Sequence, residues 1–218
     1  MSDGQLVRLY QGRGSSASWR VRIALALKQV PYESVLIDMR RGDNRSASYL
    51  AVNPMGQVPT LEIDGVRLTQ SVAIIEYLDE TRPQPHLLPE SPAWRARARQ
   101  IVEILNSGTQ PFHNSAVHRS LKASFNADED GLRTWTQPWI DRGLSSVEAV
   151  LAETAGQYCV GDELSIADVF LYAQIGKLAE LKIDIPDSTK IAHVMGALKE
   201  HPVFANSGPE NVPSTASA

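Results

Sequence analysis

The feature that most constrains the fold is a break in composition shortly after residue 80. Four prolines fall within ten residues there: Pro83, Pro85, Pro89 and Pro92. Proline fixes φ and lacks a backbone N–H, so this segment cannot continue a helix or a central strand. We predict a linker over residues 83–92 between two domains, residues 1–82 and 93–205, with a loose tail over residues 206–218.

Strand and helix signals alternate before the break. The predicted strands cover residues 7–10, 34–37, 58–63 and 66–69, and the predicted helices cover residues 18–28 and 71–81. Asp64-Gly65, which joins the last two strands, is a strong hairpin signal. The helix over residues 18–28 is apolar on most sides, so it should be buried against a sheet. The first domain is therefore predicted to be α/β, with a four-stranded mixed sheet.

Helical periodicity dominates after the break. It covers residues 93–122, 131–155, 166–181 and 188–200, so the second domain is predicted to be all-helical. Ser165-Ile-Ala-Asp168 has the pattern of a capping box, which places a helix start there. This assigns Asp168 a structural role in preference to a catalytic one.

Composition excludes several classes of protein. With 43% apolar and 21% charged residues, the 218-residue chain has an ordinary globular balance. Its net charge of −4 argues against a nucleic-acid partner. The longest apolar runs have five residues, whereas a membrane span needs roughly 20.

The sequence also constrains the cellular compartment and the presence of a metal site. The opening Met-Ser-Asp-Gly-Gln lacks the features of a secretory signal, and the single cysteine, Cys159, fits a reducing compartment. We therefore expect a cytoplasmic protein. No metal-ligand spacing occurs, and no metal site is predicted.

Five motifs carry a family resemblance. They are residues 15–25 (SSASWRVRIAL), 53–61 (NPMGQVPTL), 70–78 (QSVAIIEYL) and 159–162 (CVGD), and Gln110-Pro111 with Asn114. Over about residues 6–200 they resemble the zeta class of glutathione transferases, which includes maleylacetoacetate and maleylpyruvate isomerases. The resemblance implies a thioredoxin-like first domain that binds glutathione, an all-helical glutathione-transferase domain, and a homodimer.

The serines of the first motif are the candidate catalytic residues. A thiol has a pKa of about 8.5, so a nucleophilic thiolate at neutral pH needs stabilisation. The N-terminus of a helix lowers a bound thiol's pKa, and a Ser15 hydroxyl could donate to the sulfur. With the resemblance, Ser15 is the leading candidate and Ser16 the second. The alternative is that these serines only cap the helix.

The resemblance also implies a set of glutathione contacts. These are Ser15, Ser16, Ala17, Ser18, Trp19, Arg20, Asn44, Val58, Pro59, Gln70, Ser71, Gln110, Asn114 and Ser115. Pro59 is expected to follow a cis peptide bond, so that the main chain of Val58 pairs with the cysteinyl unit. Ser71, at a helix N-terminus, can hold the γ-glutamyl carboxylate, with Gln70 on the adjacent amino group. Ser71 as an ordinary helix cap is the alternative.

In the second domain, the glutathione contacts are expected to lie on one face of a helix. Gln110, Asn114 and Ser115 are spaced i, i+4 and i+5, which would place them together on a continuous helix. His113 is the histidine nearest the expected cleft. Arg20 could attract a carboxylate, although a structural ion pair is equally consistent with the sequence.

Three positions depart from the zeta pattern. Ala17 stands where the class has cysteine, Gly14 precedes Ser15 where an arginine is expected, and Glu180 replaces a second arginine. A carboxylate desolvated in a cleft would repel an acidic substrate, so a less charged enone is also considered.

The resulting prediction is a glutathione-dependent cis–trans isomerase of a conjugated enone such as maleylacetoacetate. One alternative is a transferase that conjugates or dehalogenates small electrophiles. The other is a glutathione-binding protein without catalysis, since a fold does not fix function.

Overall fold

The structure is a computed structural model that describes residues 6–212. It divides into two compact units. The first comprises the described residues up to His86 together with those from His201, and the second comprises residues 87–200. None of the described helices combines the length and the apolar character that a bilayer crossing requires.

The sheet of the first unit has the predicted four strands. They are β1 (Arg8–Gln11), β2 (Glu33–Leu36), β3 (Thr60–Ile63) and β4 (Val66–Thr69). The strand order is β2-β1-β3-β4, with β1 parallel to β2 and antiparallel to β3, and β3 antiparallel to β4. Asp64 and Gly65 both adopt positive φ, 51° and 77°, as the tight turn of a hairpin requires. The predicted mixed sheet is confirmed.

Three helices accompany the sheet: α1 (Ser16–Leu27), α2 (Ala47–Leu50) and α3 (Ser71–Thr81). α1 is buried on nearly all sides, as predicted, with Val21, Ile23 and Leu25 fully inaccessible. It begins two residues earlier than predicted because the side chain of Ser15 caps it.

The second unit is mostly helical, as predicted. Its helices are α4 (Pro92–Asn106), α5 (Ser115–Phe125), α6 (Glu129–Thr154), α7 (Ile166–Glu180) and α8 (Thr189–Glu200), with a 3₁₀ turn over Gln110–His113. The prediction of one continuous helix over residues 93–122 is wrong. Thr109 Oγ1 donates to the carbonyl of Ile104 at 2.8 Å after α4 has ended, and Pro111 lacks the N–H that a continuing helix needs.

The capping box at the start of α7 is present. The carboxylate of Asp168 accepts from the N–H and Oγ of Ser165 at 2.8 and 2.9 Å and from the N–H of Cys159 at 2.8 Å. Asp168 is fully buried, so its assignment as a structural cap is supported. Burial, together with this carboxylate, raises the pKa of the Cys159 thiol well above its usual range, which keeps it an inert thiol.

The end of the described chain returns to the first unit, and here the structure differs from the predicted boundaries. α9 (Pro202–Ala205) and a 3₁₀ turn over Pro209–Asn211 follow α8. Phe204 is fully buried, and Ser207 accepts a hydrogen bond from Trp19 Nε1 at 2.7 Å. Residues 206–212 are thus anchored rather than loose, while residues 213–218 of the predicted tail lie outside the described residues.

Candidate functional site

The Ser15 hydroxyl stands at the entrance to α1. Ser15 is the N-cap, with extended backbone (φ −84°, ψ 119°), and its Oγ accepts from the N–H of Ser18 at 3.2 Å. A hydroxyl has two lone pairs and one donor, so the capping bond leaves the O–H free to donate elsewhere. The capping and catalytic interpretations of Ser15 are therefore compatible. Ser16, the first helical residue, is buried.

The electrostatics of this helix end favour an anion. The first turn of α1 contains no acidic residue, so the positive end of the helix dipole is not neutralised there. Ala17, at the position where the zeta class has cysteine, is half-buried in the same turn. A thiolate placed beside Ser15 would experience both the dipole and a hydroxyl donor, which are the conditions that lower a thiol's pKa.

At Gly12, the chain that leads to Ser15 passes close to Val58. A Cβ added at Gly12 would lie 3.2 Å from Val58 Cγ2 and 3.4 Å from Ser15 Cβ, so a side chain there would crowd Val58 and contact Ser15. The Val58–Pro59 peptide bond is cis, as predicted. Val58 lies outside the β-ladder, whose pairing on this strand begins at Thr60. Its main chain is therefore not committed to the sheet.

A second candidate anion site lies at the start of α3. Ser71 is the first residue of this helix and is 5% exposed. Arg20, which is fully buried on α1, donates from Nη1 to Ser71 Oγ at 3.4 Å. The arrangement puts a guanidinium behind a helix N-terminus and suits a carboxylate. The sequence drew attention to both residues, but the contact between them is a tertiary feature that it did not reveal.

Gln70 has a strained backbone that sequence reasoning missed. It precedes α3 with φ 70° and ψ 119°, a conformation that costs a residue with a side chain about 1–3 kcal/mol. Its side chain is exposed, with Nε2 3.4 Å from Gln57 Oε1. Such strain is typical of residues held in place at a ligand site.

Three predicted contact residues have their side chains engaged within the protein. Ser18 is fully buried and its Oγ accepts from the N–H of Gly12 at 3.2 Å. Trp19 donates to Ser207, and Asn44 Nδ2 donates to the carbonyl of Gly56 at 2.7 Å. These side chains support the loops around Ser15 and Val58, and contact of the three residues with glutathione stays a prediction.

The predicted helix face in the second unit does not form. Gln110 begins the 3₁₀ turn, Asn114 is extended, and Ser115 is the first residue of α5. The side chain of Asn114 accepts from the N–H of Ala116 at 2.8 Å and so caps α5. The three residues stay close in the chain, but the i, i+4 geometry expected of one helix is wrong.

Two further sequence-based hypotheses change. His113 is 5% exposed, and its Nε2 lies 2.8 Å from the side-chain amide of Gln174, so it is a core residue rather than a solvent-accessible base. Glu180 is 47% exposed in its side chain and pairs with Lys177 at 3.0 Å. The repulsion expected of a desolvated carboxylate therefore does not apply, because Glu180 is both solvated and paired.

Comparison with known proteins decides the family. The profile for the N-terminal domain of glutathione S-transferases matches residues 14–81, and that for the C-terminal domain matches residues 116–206. A maleylacetoacetate isomerase from Mus musculus is 42% identical over 95% of this chain and 94% of its own. A maleyl pyruvate isomerase described as a bacterial zeta-class enzyme superposes with a TM-score of 0.91 at 34% identity, covering 96% of this chain and all of that one.

The chain belongs to the zeta class of the glutathione S-transferases. A second similar structure, the maleylacetoacetate isomerase of Methylobacterium extorquens AM1, was solved with malonate and glutathione. It superposes with a TM-score of 0.90 at 33% identity over 95% of this chain and 99% of that one. The thioredoxin-like and helical domains predicted for this zeta-class chain are confirmed.

Proposed function

We propose that this protein is a glutathione-dependent cis–trans isomerase of a conjugated enone acid of the maleylacetoacetate type. The observation that carries the proposal is the Ser15 hydroxyl at the uncompensated N-terminus of α1. Relatives named maleylacetoacetate isomerase, at 38–43% identity, support the choice of reaction.

The residues of the first unit fit glutathione. Ser71 and Arg20 suit the γ-glutamyl carboxylate, and the uncommitted main chain of Val58 suits a peptide group. Gly12 keeps the space between Val58 and Ser15 clear of a side chain. When bound there, glutathione supplies a thiolate that can add reversibly to an activated double bond and so permit rotation about it.

The chain's own part in the reaction is electrostatic. The Ser15 hydroxyl donates a hydrogen bond to the sulfur of glutathione. This hydrogen bond is strongest while the sulfur is negatively charged. The first N–H groups of α1 add a fixed positive potential that needs no reorganisation during the reaction. Ser16 is the second candidate donor in the same turn.

An acidic substrate is consistent with the structure. Glu180 is paired with Lys177, so the replaced arginine does not leave an isolated negative charge. A related maleylacetoacetate isomerase from Anaeromyxobacter dehalogenans was solved with dicarboxyethyl glutathione and citrate in its active site, at 35% identity and a TM-score of 0.85. Both observations favour a carboxylate-bearing enone over a neutral one.

The fate of glutathione distinguishes isomerisation from conjugation. Purified protein is incubated with glutathione and maleylacetone, and then with a chlorinated electrophile, while free thiol is titrated. We expect the trans isomer to form with free glutathione undiminished. Stoichiometric loss of thiol with maleylacetone would instead show a conjugating transferase, and binding without turnover would show a non-catalytic protein.

We also propose that the protein is a cytoplasmic homodimer. Exposed apolar side chains such as Met55 (66%) and Trp94 (43%) are the kind that a subunit interface covers. The buried free thiol of Cys159 suits a reducing compartment. Analytical ultracentrifugation tests the dimer, since a mass near 24 kDa would contradict it.

A further inference from the structure

A cavity of about 380 Å³ lies in the first unit where the C-terminal segment covers α1 and the start of β2. Its apolar walls come from Ala26, Pro202, Val203 and Val212. Polar groups of Gln11, Arg22, Tyr32 and Ser207 also line it. This is the size and composition of a small-molecule site, with mostly apolar walls and a few polar groups.

Arg22 is the unusual member of this lining. It is 6% exposed, yet its hydrogen-bond partners are neutral: Gln11 Oε1 at 3.1 Å from Nη1, and the carbonyl of Ser207 at 3.4 Å from both Nε and Nη2. Two of these three contacts exceed the usual 2.7–3.2 Å range for such bonds. Within residues 6–212, Arg22 forms no ion pair with a carboxylate.

The surroundings do not neutralise this charge. Burial lowers the pKa of Arg22 to about 10, and the electrostatic effects of Tyr32 and Glu210 only partly offset this lowering. The guanidinium is thus still charged at neutral pH. Burial likewise raises the pKa of Tyr32, so the phenol is neutral there. A buried cation with neutral partners is costly, and an anion beside it would recover part of that cost.

We propose that this cavity is a second ligand site, separate from the glutathione site, which binds a small carboxylate with an apolar body. Arg22 pairs with the carboxylate, and Tyr32, which lines the same cavity, adds a neutral phenol to its wall. Ala26, Val203 and Val212 contact the apolar body. A guanidinium suits this head group because its planar fork matches a carboxylate.

Trp19 provides a direct reporter of occupancy. Its indole N–H donates to Ser207 Oγ at 2.7 Å, and Ser207 lines the cavity. Benzoate is titrated into the uniformly ¹⁵N-labelled full chain in the presence of saturating glutathione, and the indole resonances are followed. We expect a saturable shift of the Trp19 resonance, while that of Trp94, in the other unit, stays in place.

Matched ligands and variants test the chemistry. Benzamide, which has the same ring without the charge, and inorganic phosphate, which lacks the apolar body, should bind at least tenfold more weakly than benzoate. Arg22→Met should weaken benzoate binding at least tenfold, whereas Arg41→Met, an exposed arginine of the same unit, should leave it unchanged. If Arg22→Met fails to fold, comparing benzoate, benzamide and phosphate on the unaltered chain still tests the proposal.

Several outcomes would overturn the proposal. They are a Trp19 resonance that does not move with benzoate, equal binding of benzamide or phosphate, and a benzoate shift that occurs only when glutathione is left out. The last result would place benzoate in the glutathione site. None of these outcomes bears on isomerase activity, which is assayed separately.

Discussion

Ser15 Oγ lies 3.2 Å from the backbone nitrogen of Ser18 and accepts its N–H, which fixes the hydroxyl at the mouth of α1. Ser46 makes the same contact with Tyr49, also at 3.2 Å, at the start of α2. The two serines make the same capping bond, although Ser46 Oγ also donates to the carbonyl of Asp43 at 2.7 Å. Only Ser15 has a proposed role at the thiolate.

Comparing substitutions of Ser15 and Ser46 distinguishes a capping role from a catalytic role. Replacing a capping serine by alanine costs about 1 kcal/mol of stability, so Ser15→Ala and Ser46→Ala should lower the unfolding free energy by similar amounts. We expect Ser15→Ala alone to lower kcat, by roughly 100-fold, as loss of one oxyanion donor does. Denaturant unfolding and steady-state kinetics measure both effects. Equal activity of the two variants would contradict a donor role for Ser15.

Disrupting the carboxylate site at the start of α3 should weaken the affinity for glutathione rather than slow turnover. Ser71→Ala removes a hydroxyl from a buried helix N-terminus beside Arg20. A hydrogen bond to a charged group is worth about 1.5–3 kcal/mol, so KM for glutathione should rise roughly 10- to 100-fold while kcat changes little. Thr81→Ala, at the exposed other end of α3, is the control and should leave KM unchanged. A fall in kcat with unchanged KM would be inconsistent with the assignment of Ser71.

Glu148 predicts a pH-dependent contribution to stability. Its carboxylate accepts from the N–H groups of Lys190 and Ile191 at 2.7 and 2.9 Å and caps α8 from α6. Burial alone would raise the pKa of Glu148, but these hydrogen bonds outweigh it and the pKa is lowered. A lowered pKa in the folded state means stabilisation above the unfolded-state value of about 4.3, which is lost as pH falls through the folded-state pKa.

Glu148→Gln should therefore cost about 1 kcal/mol at pH 7, and the difference from the unaltered chain should shrink as pH falls below about 4. Urea unfolding across this pH range measures it. Glu153→Gln, on the same helix, removes only an exposed ion pair with Arg97 and should cost less than about 0.5 kcal/mol. A Glu148→Gln penalty that is constant with pH would show that the charge is not involved.

Two glycines in helices should respond to alanine with opposite signs. A Cβ at Gly143 on α6 would overlap Thr109 Oγ1, which is held by its bond to Ile104. Overpacking costs about 1–3 kcal/mol and exceeds the helix-propensity gain of about 1 kcal/mol, so Gly143→Ala should destabilise. Gly196 on α8 has no described atom within 4 Å of the added Cβ, so Gly196→Ala should stabilise by about 0.5–1 kcal/mol. Thermal unfolding of both variants tests this, and stabilisation by Gly143→Ala would show that Thr109 moves aside.

Local signals account for the features that the sequence predicted well. The Asp64-Gly65 hairpin and the capping box at Ser165 depend on residues within a few positions of one another, so their geometry follows from their chemistry. The buried character of α1 also followed from its own composition. The cap at Asn114 was equally local, but helical periodicity across Pro111 concealed it.

Contacts between distant parts of the chain could not be predicted in this way. The return of residues 201–212 to the first unit depends on Phe204 and on the Trp19–Ser207 bond, which spans 188 positions. The contact of Arg20 with Ser71 is likewise set by tertiary packing. The ion pair of Glu180 with Lys177 is local, three positions apart on α7, but the solvent exposure of Glu180 depends on how α7 packs. These contacts show which of the residues singled out in the sequence have side chains that support the fold.

The ionisation of the glutathione thiol in the bound state tests the central claim most directly. Ultraviolet absorbance of the thiolate is followed while the protein saturated with glutathione is titrated from acid to alkali. The dipole of α1 and the Ser15 hydroxyl predict a midpoint at least about one unit below the ordinary thiol value of about 8.5, with Ser15→Ala moving it back upward. A midpoint at or above the value for free glutathione would contradict the account.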